Sequence, residues 1–258
     1  MAANHHDRRQ LAIVGALVFA SSVCTLLFVL RALYTHHLTY AGMLWNLFLA
    51  WLPLLGALAA YNLAGRHGRS GWLAIGSCAL LWLLFFPNAP YILTDIGNLM
   101  TRYPVPLWYD VLLEVAFAWT GTLLGLVSLY LMQSLVRRAR GAGAGWLFAL
   151  AVLLMGSFGV WLGRFLRFNS WDVFVNPVDL LTGVAGYLAH PLDNAQLFVF
   201  SGLFALLLIS IYLVLVALIN FRGGEPSGRS RNVRTADGAD STDSAESGDK
   251  LIARSGEQ

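Results

Sequence analysis

The chain has 258 residues, 57% of them hydrophobic and only 12% charged, with 17 Lys and Arg against 14 Asp and Glu, and a mean hydropathy of +0.63. A soluble globular domain carries about 25% charged residues, so that class is excluded and the main solvent of this chain is lipid. Two cysteines, Cys24 and Cys78, give no disulfide framework, and the absence of a glycine period or heptad charge pattern excludes collagen-like and coiled-coil chains.

A helix needs about 20 apolar residues to cross a hydrocarbon core of about 30 Å. Segments 11–30, 42–64, 71–87, 109–133, 145–163 and 197–220 meet that requirement, each bounded by Arg, Pro, Gly or a polar cluster. No fixed repeat relates them. Residues 1–10 are expected as a cytoplasmic lead-in, 11–222 as the transmembrane domain and 223–258 as a disordered cytoplasmic tail, rich in Gly, Ser and charge and poor in large apolar side chains. Arg8 and Arg9 before the first apolar run resemble a signal peptide. The run is long, however, and no small-x-small cleavage site follows it before Arg31, so a retained anchor helix is expected.

Six spans place Arg8, Arg9, Arg66, Arg69, Arg137, Arg138 and Arg140 on one side, against Arg31, Arg102, Arg164 and Arg167 on the other. The positive-inside rule then puts both termini in the cytoplasm of a prokaryotic cell, anchored by a short loop at 134–144. Asp95, Asp110, Glu114, Asp172, Asp179 and Asp193 all fall on the outer side. That is where unusual chemistry is expected.

Three strings hold most of it. In Phe86-Pro87-Asn88-Ala89-Pro90-Tyr91-Ile92-Leu93-Thr94-Asp95, two prolines remove amide donors and must break the third span. Asn88 can satisfy freed backbone groups, and Tyr91 can anchor the interface with its hydroxyl in water. The string reads either as a helix terminator or as a rigid turn presenting Asn88 and Asp95 to a substrate. In Trp108-Tyr109-Asp110, with Glu114 one turn on, both carboxylates share a helical face near the positive end of the dipole. Capping and an ion pair with a neighbouring arginine compete with a catalytic or binding role.

The third string, from Gly163 to Pro177, sets Arg164 and Arg167 on one face, followed by Asn169 and Asp172. Their guanidinium forks suit carboxylates or phosphates, and the alternatives are snorkelling or pairing with Asp110, Glu114 or Asp172. Asn176-Pro177 then opens a helix over 177–189, with Asp179 near its start, expected in the interface or over the bundle.

His36, His37 and His190 lack ligand spacing, and no phosphate loop or nucleophile elbow occurs, so no metal, cofactor or nucleic-acid partner is expected. Gly121 and Gly125 in the fourth span, and Gly159 and Gly163 in the fifth, permit close approach. Either pair offers packing within the chain or a contact to a second copy. Facing each other, they would bring Asp110 and Glu114 beside Arg164 and Arg167.

The strings FPNAPYILTD at 86–95, WYD at 108–110 and GRFLRFNSWDVFVNP at 163–177 resemble the membrane-protein family known as domain of unknown function 1361. The resemblance spans about residues 42–220 and implies a multi-span integral membrane protein. It implies no established activity, so no catalytic residue is carried over from it.

The expected architecture is therefore an all-α polytopic bundle of about six transmembrane helices plus an outer interfacial helix. Its expected site combines catalytic candidates Asp95, Asp110, Glu114 and Asp172 with binding candidates Asn88, Tyr91, Arg164, Arg167 and Asn169. The leading expectation is binding of, or chemistry on, an anionic lipid-linked or envelope substrate. A permease and a membrane scaffold are the other classes.

Overall fold

A computed structural model describes residues 2–64, 69–98, 105–166, 175, 177–190 and 193–221 of the chain. The elements are α1 (Ala2–Thr35), α2 (Ala41–Leu63), α3 (Arg69–Phe85), the single turn α4 (Asn88–Tyr91), a 3-10 helix (Ile92–Asn98), α5 (Leu107–Arg140), α6 (Ala142–Phe165), α7 (Pro177–Ala189) and α8 (Ala195–Phe221). Among the described residues six apolar stretches are long enough to cross a membrane: Gln10–Thr35, Ala41–Leu63, Leu73–Asp95, Leu107–Arg140, Ala142–Phe165 and Ala195–Phe221. The fold is an all-α bundle of membrane-spanning helices.

α5 is the hub, touching α1, α2, α4, α6 and the 3-10 helix. Of its apolar stretch 61% is buried, against 17% for α1 and 28% for α8; α1 packs chiefly on α5, and α8 on α6. Large apolar side chains also cover the outside, among them Phe19, Leu73, Leu147 and Phe221. Apolar surface facing both ways is the signature of a bundle solvated by lipid. Trp82, Phe86, Leu129, Leu153 and Leu208 fill one part of the interior, and Leu17, Phe28, Leu54, Ile92 and Phe117 another.

Helix ends depart from the sequence reading where charged residues had been taken as boundaries. α1 continues past Arg31 to Thr35 and stops at His36, whose φ of 58° is left-handed. The loop expected at 134–144 is helix through Arg140, and α6 begins after a single residue, Gly141, at φ 92°. Arginine is a good helix former and favours the negative end of the dipole, so these three arginines extend α5 instead of ending it.

α7 forms over the expected 177–189. Tyr187 packs edge-on against Trp161 of α6, with ring centroids 5.3 Å apart. Val178 and Leu181 are exposed. One face of this helix thus packs on the bundle while another is turned outward. Asn176, its expected cap, lies outside the described residues, as does the tail 223–258.

Candidate functional site

The sequence places chemistry at the end of the bundle where α1 and α6 finish and α2, α5 and α8 begin. Arg31 lies one turn before the end of α1, and its guanidinium meets Asp110 in the first turn of α5. Nε donates to Oδ1 at 2.6 Å and Nη2 to Oδ2 at 3.2 Å, a two-pronged contact. The side chains are 4% and 0% exposed. Tyr40, just before α2, closes the group. Its hydroxyl donates to Asp110 Oδ2 at 3.3 Å, and its ring lies 4.5 Å from the Arg31 guanidinium carbon.

Burial, reinforced by the negative charges of Asp110 and Glu114, raises the Tyr40 phenol above the ordinary tyrosine value. It therefore stays a donor. Glu114, one turn deeper than Asp110, is 1% exposed. Along the same seam, Tyr109 donates to the Leu27 carbonyl at 2.8 Å, and Cys24 and Thr120 share a hydrogen bond at 3.3 Å.

A second group forms around Asp95 in the 3-10 helix. Arg164 Nη1, in the last turn of α6, donates to Asp95 Oδ1 at 3.2 Å, and Asn46 Nδ2 of α2 donates to Oδ2 at 3.2 Å. Arg164 is 22% exposed and Asp95 14%. Three elements thus hold one carboxylate where water can reach it.

The break after α3 positions Asp95. Pro90 has no N–H to offer the Phe86 carbonyl, and the amide of Ala89 takes that acceptor at 3.2 Å. The side chain of Asn88 donates to the Phe85 carbonyl at 3.2 Å, and Thr94 Oγ1 donates to that of Tyr91 at 2.7 Å. Side chains thus replace helical ladder bonds inside the bundle, where water is scarce. Tyr91 is half-buried against the Trp82–Phe86 core.

The glycines make room for this segment. A Cβ on Gly121 would lie 2.8 Å from the Ala89 carbonyl oxygen, on Gly125 2.8 Å from Ala89 Cβ, on Gly156 2.7 Å from the Phe86 ring and on Gly159 2.8 Å from Pro87 Cγ. The glycines of the fourth and fifth spans therefore do not face each other, the condition under which Asp110 and Glu114 would have met Arg164 and Arg167. Residues 86–92 lie between them, and Gly121, Gly125 and Gly159 are occupied within the chain rather than offered to a second copy. Gly121 lies about 21 Å along α5 from Leu107 at 1.5 Å per residue, so the broken segment is deep in the bundle.

The expected site consequently divides in two. Arg164 reaches Asp95, while Asp110 is taken by Arg31. Among the described residues no group of three His, Cys, Asp or Glu converges as metal ligands. Arg167, Asn169 and Asp172 lie outside the described residues.

A model of the family described as "Protein of unknown function (DUF1361)" matches residues 45–211. The chain belongs to the DUF1361 family. No curated protein and no solved structure matches it. The DUF1361 segment contains Asn46, Asp95, Asp110, Glu114, Arg164 and the glycines around the break, whereas Arg31 and Tyr40 precede it.

Sequence reasoning overlooked Arg31, Tyr40 and Asn46 as site residues. Arg31 had a readable signal, because an arginine inside an otherwise apolar helix calls for a carboxylate on a neighbour. Tyr40 and Asn46 had none, being ordinary interface residues until α2 is placed beside α5 and the 3-10 helix.

Proposed function

We propose that the DUF1361 bundle binds an anionic lipid-linked or envelope substrate at its extracytoplasmic rim, through Arg164, Asp95 and Asn46. The observation that carries this reading is the contrast in exposure: the Arg164–Asp95 pair is 22% and 14% exposed, the Arg31–Asp110 pair 4% and 0%. A ligand can compete only for a pair it can reach, and a partly exposed pair at 3.2 Å yields more readily than a two-pronged buried one.

The excess of arginine in the short segments at the opposite end supports cytoplasmic termini in a cell membrane, and so an outward-facing rim. Arg167, Asn169 and Asp172, close in sequence to Arg164, are proposed as further members of this rim. For Asp110 the reading is counter-ion to Arg31, which removes it from the catalytic candidates. The half that contains it fits a structural role.

Binding of short-chain lipids with anionic headgroups to the detergent-purified chain tests the proposal. Saturable binding that Arg164→Ala weakens is the expected result. Equal binding by wild type and Arg164→Ala would refute it.

A further inference from the structure

We propose that the ligand of this rim site is a zwitterion, a phosphate ester carrying a primary ammonium group as in phosphoethanolamine; this rests on the anion-binding reading of the Asp95–Arg164 pair above. A simple anion would leave Asp95 poorly compensated. Asp95 is 14% exposed, with Oδ1 on Arg164 and Oδ2 on Asn46, each at 3.2 Å. A phosphate that takes Arg164 Nη1 strips Oδ1 of the cation hydrogen-bonded to it and leaves Oδ2 with a neutral amide. A partly desolvated carboxylate treated this way opposes binding, and it repels an anion lodged a few ångströms away.

A ligand that brings its own cation removes both penalties. Its phosphate accepts from Arg164, whose planar fork suits phosphate oxygens, and its ammonium donates to Oδ1. The charge of the site is then the same before and after binding. Asn46 belongs to α2 and holds Oδ2 separately, so Asp95 keeps one anchor while its other oxygen changes partner. The cation must carry N–H groups, because a trimethylammonium has no hydrogen to donate and its methyls hold the charge off. These requirements select phosphoethanolamine over phosphoglycerol and phosphocholine.

The test uses the full chain in an uncharged detergent, titrated calorimetrically with dihexanoyl phosphatidylethanolamine, phosphatidylcholine and phosphatidylglycerol. The expected result is binding of the ethanolamine lipid about tenfold tighter than either other lipid, since one compensated charge is worth at least that factor. Asp95→Asn removes the preference and tightens phosphatidylglycerol, because Arg164 loses the carboxylate that competes for it. Arg164→Gln weakens all three. Soluble O-phosphoethanolamine that displaces the lipid at a similar concentration identifies a free headgroup as ligand; displacement by the lipid form alone identifies a membrane-borne one.

Equal affinity for phosphatidylglycerol or phosphatidylcholine would overturn the zwitterion and leave the anion site standing. Binding of none of the three, or binding indifferent to Arg164→Gln, would overturn both. If Asp95→Asn does not fold, competition by O-phosphoethanolamine against glycerol phosphate on the wild-type chain reads the same preference.

Discussion

Among the described residues two arginine–carboxylate pairs lie at one end of this bundle, Arg31 with Asp110 and Arg164 with Asp95, and they differ in how far they are sealed. The first joins α1 to the hub helix, is closed by Tyr40 and has almost no exposed surface. The second joins the end of α6 to the short 3-10 helix beyond the break in the third span, and it is only partly buried. Identical chemical groups are thus sealed in one place and, under the proposed function, exchangeable in the other. Burial and the number of hydrogen bonds decide which.

Substitutions sharpen this contrast, and the largest effect belongs to the closed pair. Arg31→Ala or Asp110→Ala leaves an uncompensated buried charge and should destabilise the fold by about 3–5 kcal/mol. Replacing both with apolar residues of similar size should recover most of the loss, as read by thermal unfolding in detergent. Recovery no better than either single change would mean that the pair is not the fastening described.

The next effect belongs to the segment that carries Asp95. Gly156→Ala drives a methyl to 2.7 Å from the Phe86 ring, and Gly121→Ala drives one to 2.8 Å from the Ala89 carbonyl oxygen. Overpacking of this kind costs about 1–3 kcal/mol. Gly143→Ala, with nothing within 4 Å of the added atom, is the control and should change stability little.

Smaller still is the stability cost of Arg164→Ala, about 1–2 kcal/mol for a partly buried pair, between the surface and buried limits. Its unfolding temperature should lie close to wild type while ligand binding is lost. A stability loss matching that of Arg31→Ala would erase the distinction between the pairs.

Tyr40→Phe removes one hydrogen bond, worth about 1 kcal/mol. The raised Tyr40 phenol also links stability to alkaline pH. Its contribution is complete below the ordinary tyrosine pKa of about 10 and is lost as pH rises through the higher folded value. Wild type and Tyr40→Phe should therefore converge in stability at strongly alkaline pH, and parallel curves would contradict the assigned environment.

Most of the architecture was legible in the sequence because lipid imposes a length and a composition on every spanning helix. α7 could be read to its ends, since Pro177 and His190-Pro191 are local signals that act without tertiary help. The rupture of the third span at Pro87 and Pro90 was equally local. Boundaries drawn at arginines were less secure. Arg31 and Arg137 to Arg140 all lie within helices, because a guanidinium ends a span only when it finds no partner and no headgroup.

The site was legible in its residue types but not in its pairing. Asp95, Asp110 and Arg164 stood out as charges in an apolar chain, yet the partners offered for Arg164 were Asp110, Glu114 and Asp172, and Asp95 was not among them. Insertion of residues 86–92 between α5 and α6 redirected the arginine.

The sequence by itself determined that this chain lives in lipid, how many times it can cross, where its backbone must break and which few charged groups remain near one end. Those properties follow from transfer free energies and from proline's missing N–H, which depend on neighbours only along the chain. The tertiary structure alone decided which acid meets which arginine, and which pair is sealed and which is open. Coulomb energy and desolvation depend on distances of a few ångströms between residues as far apart in sequence as Arg31 and Asp110, and only the packing of helices sets those distances.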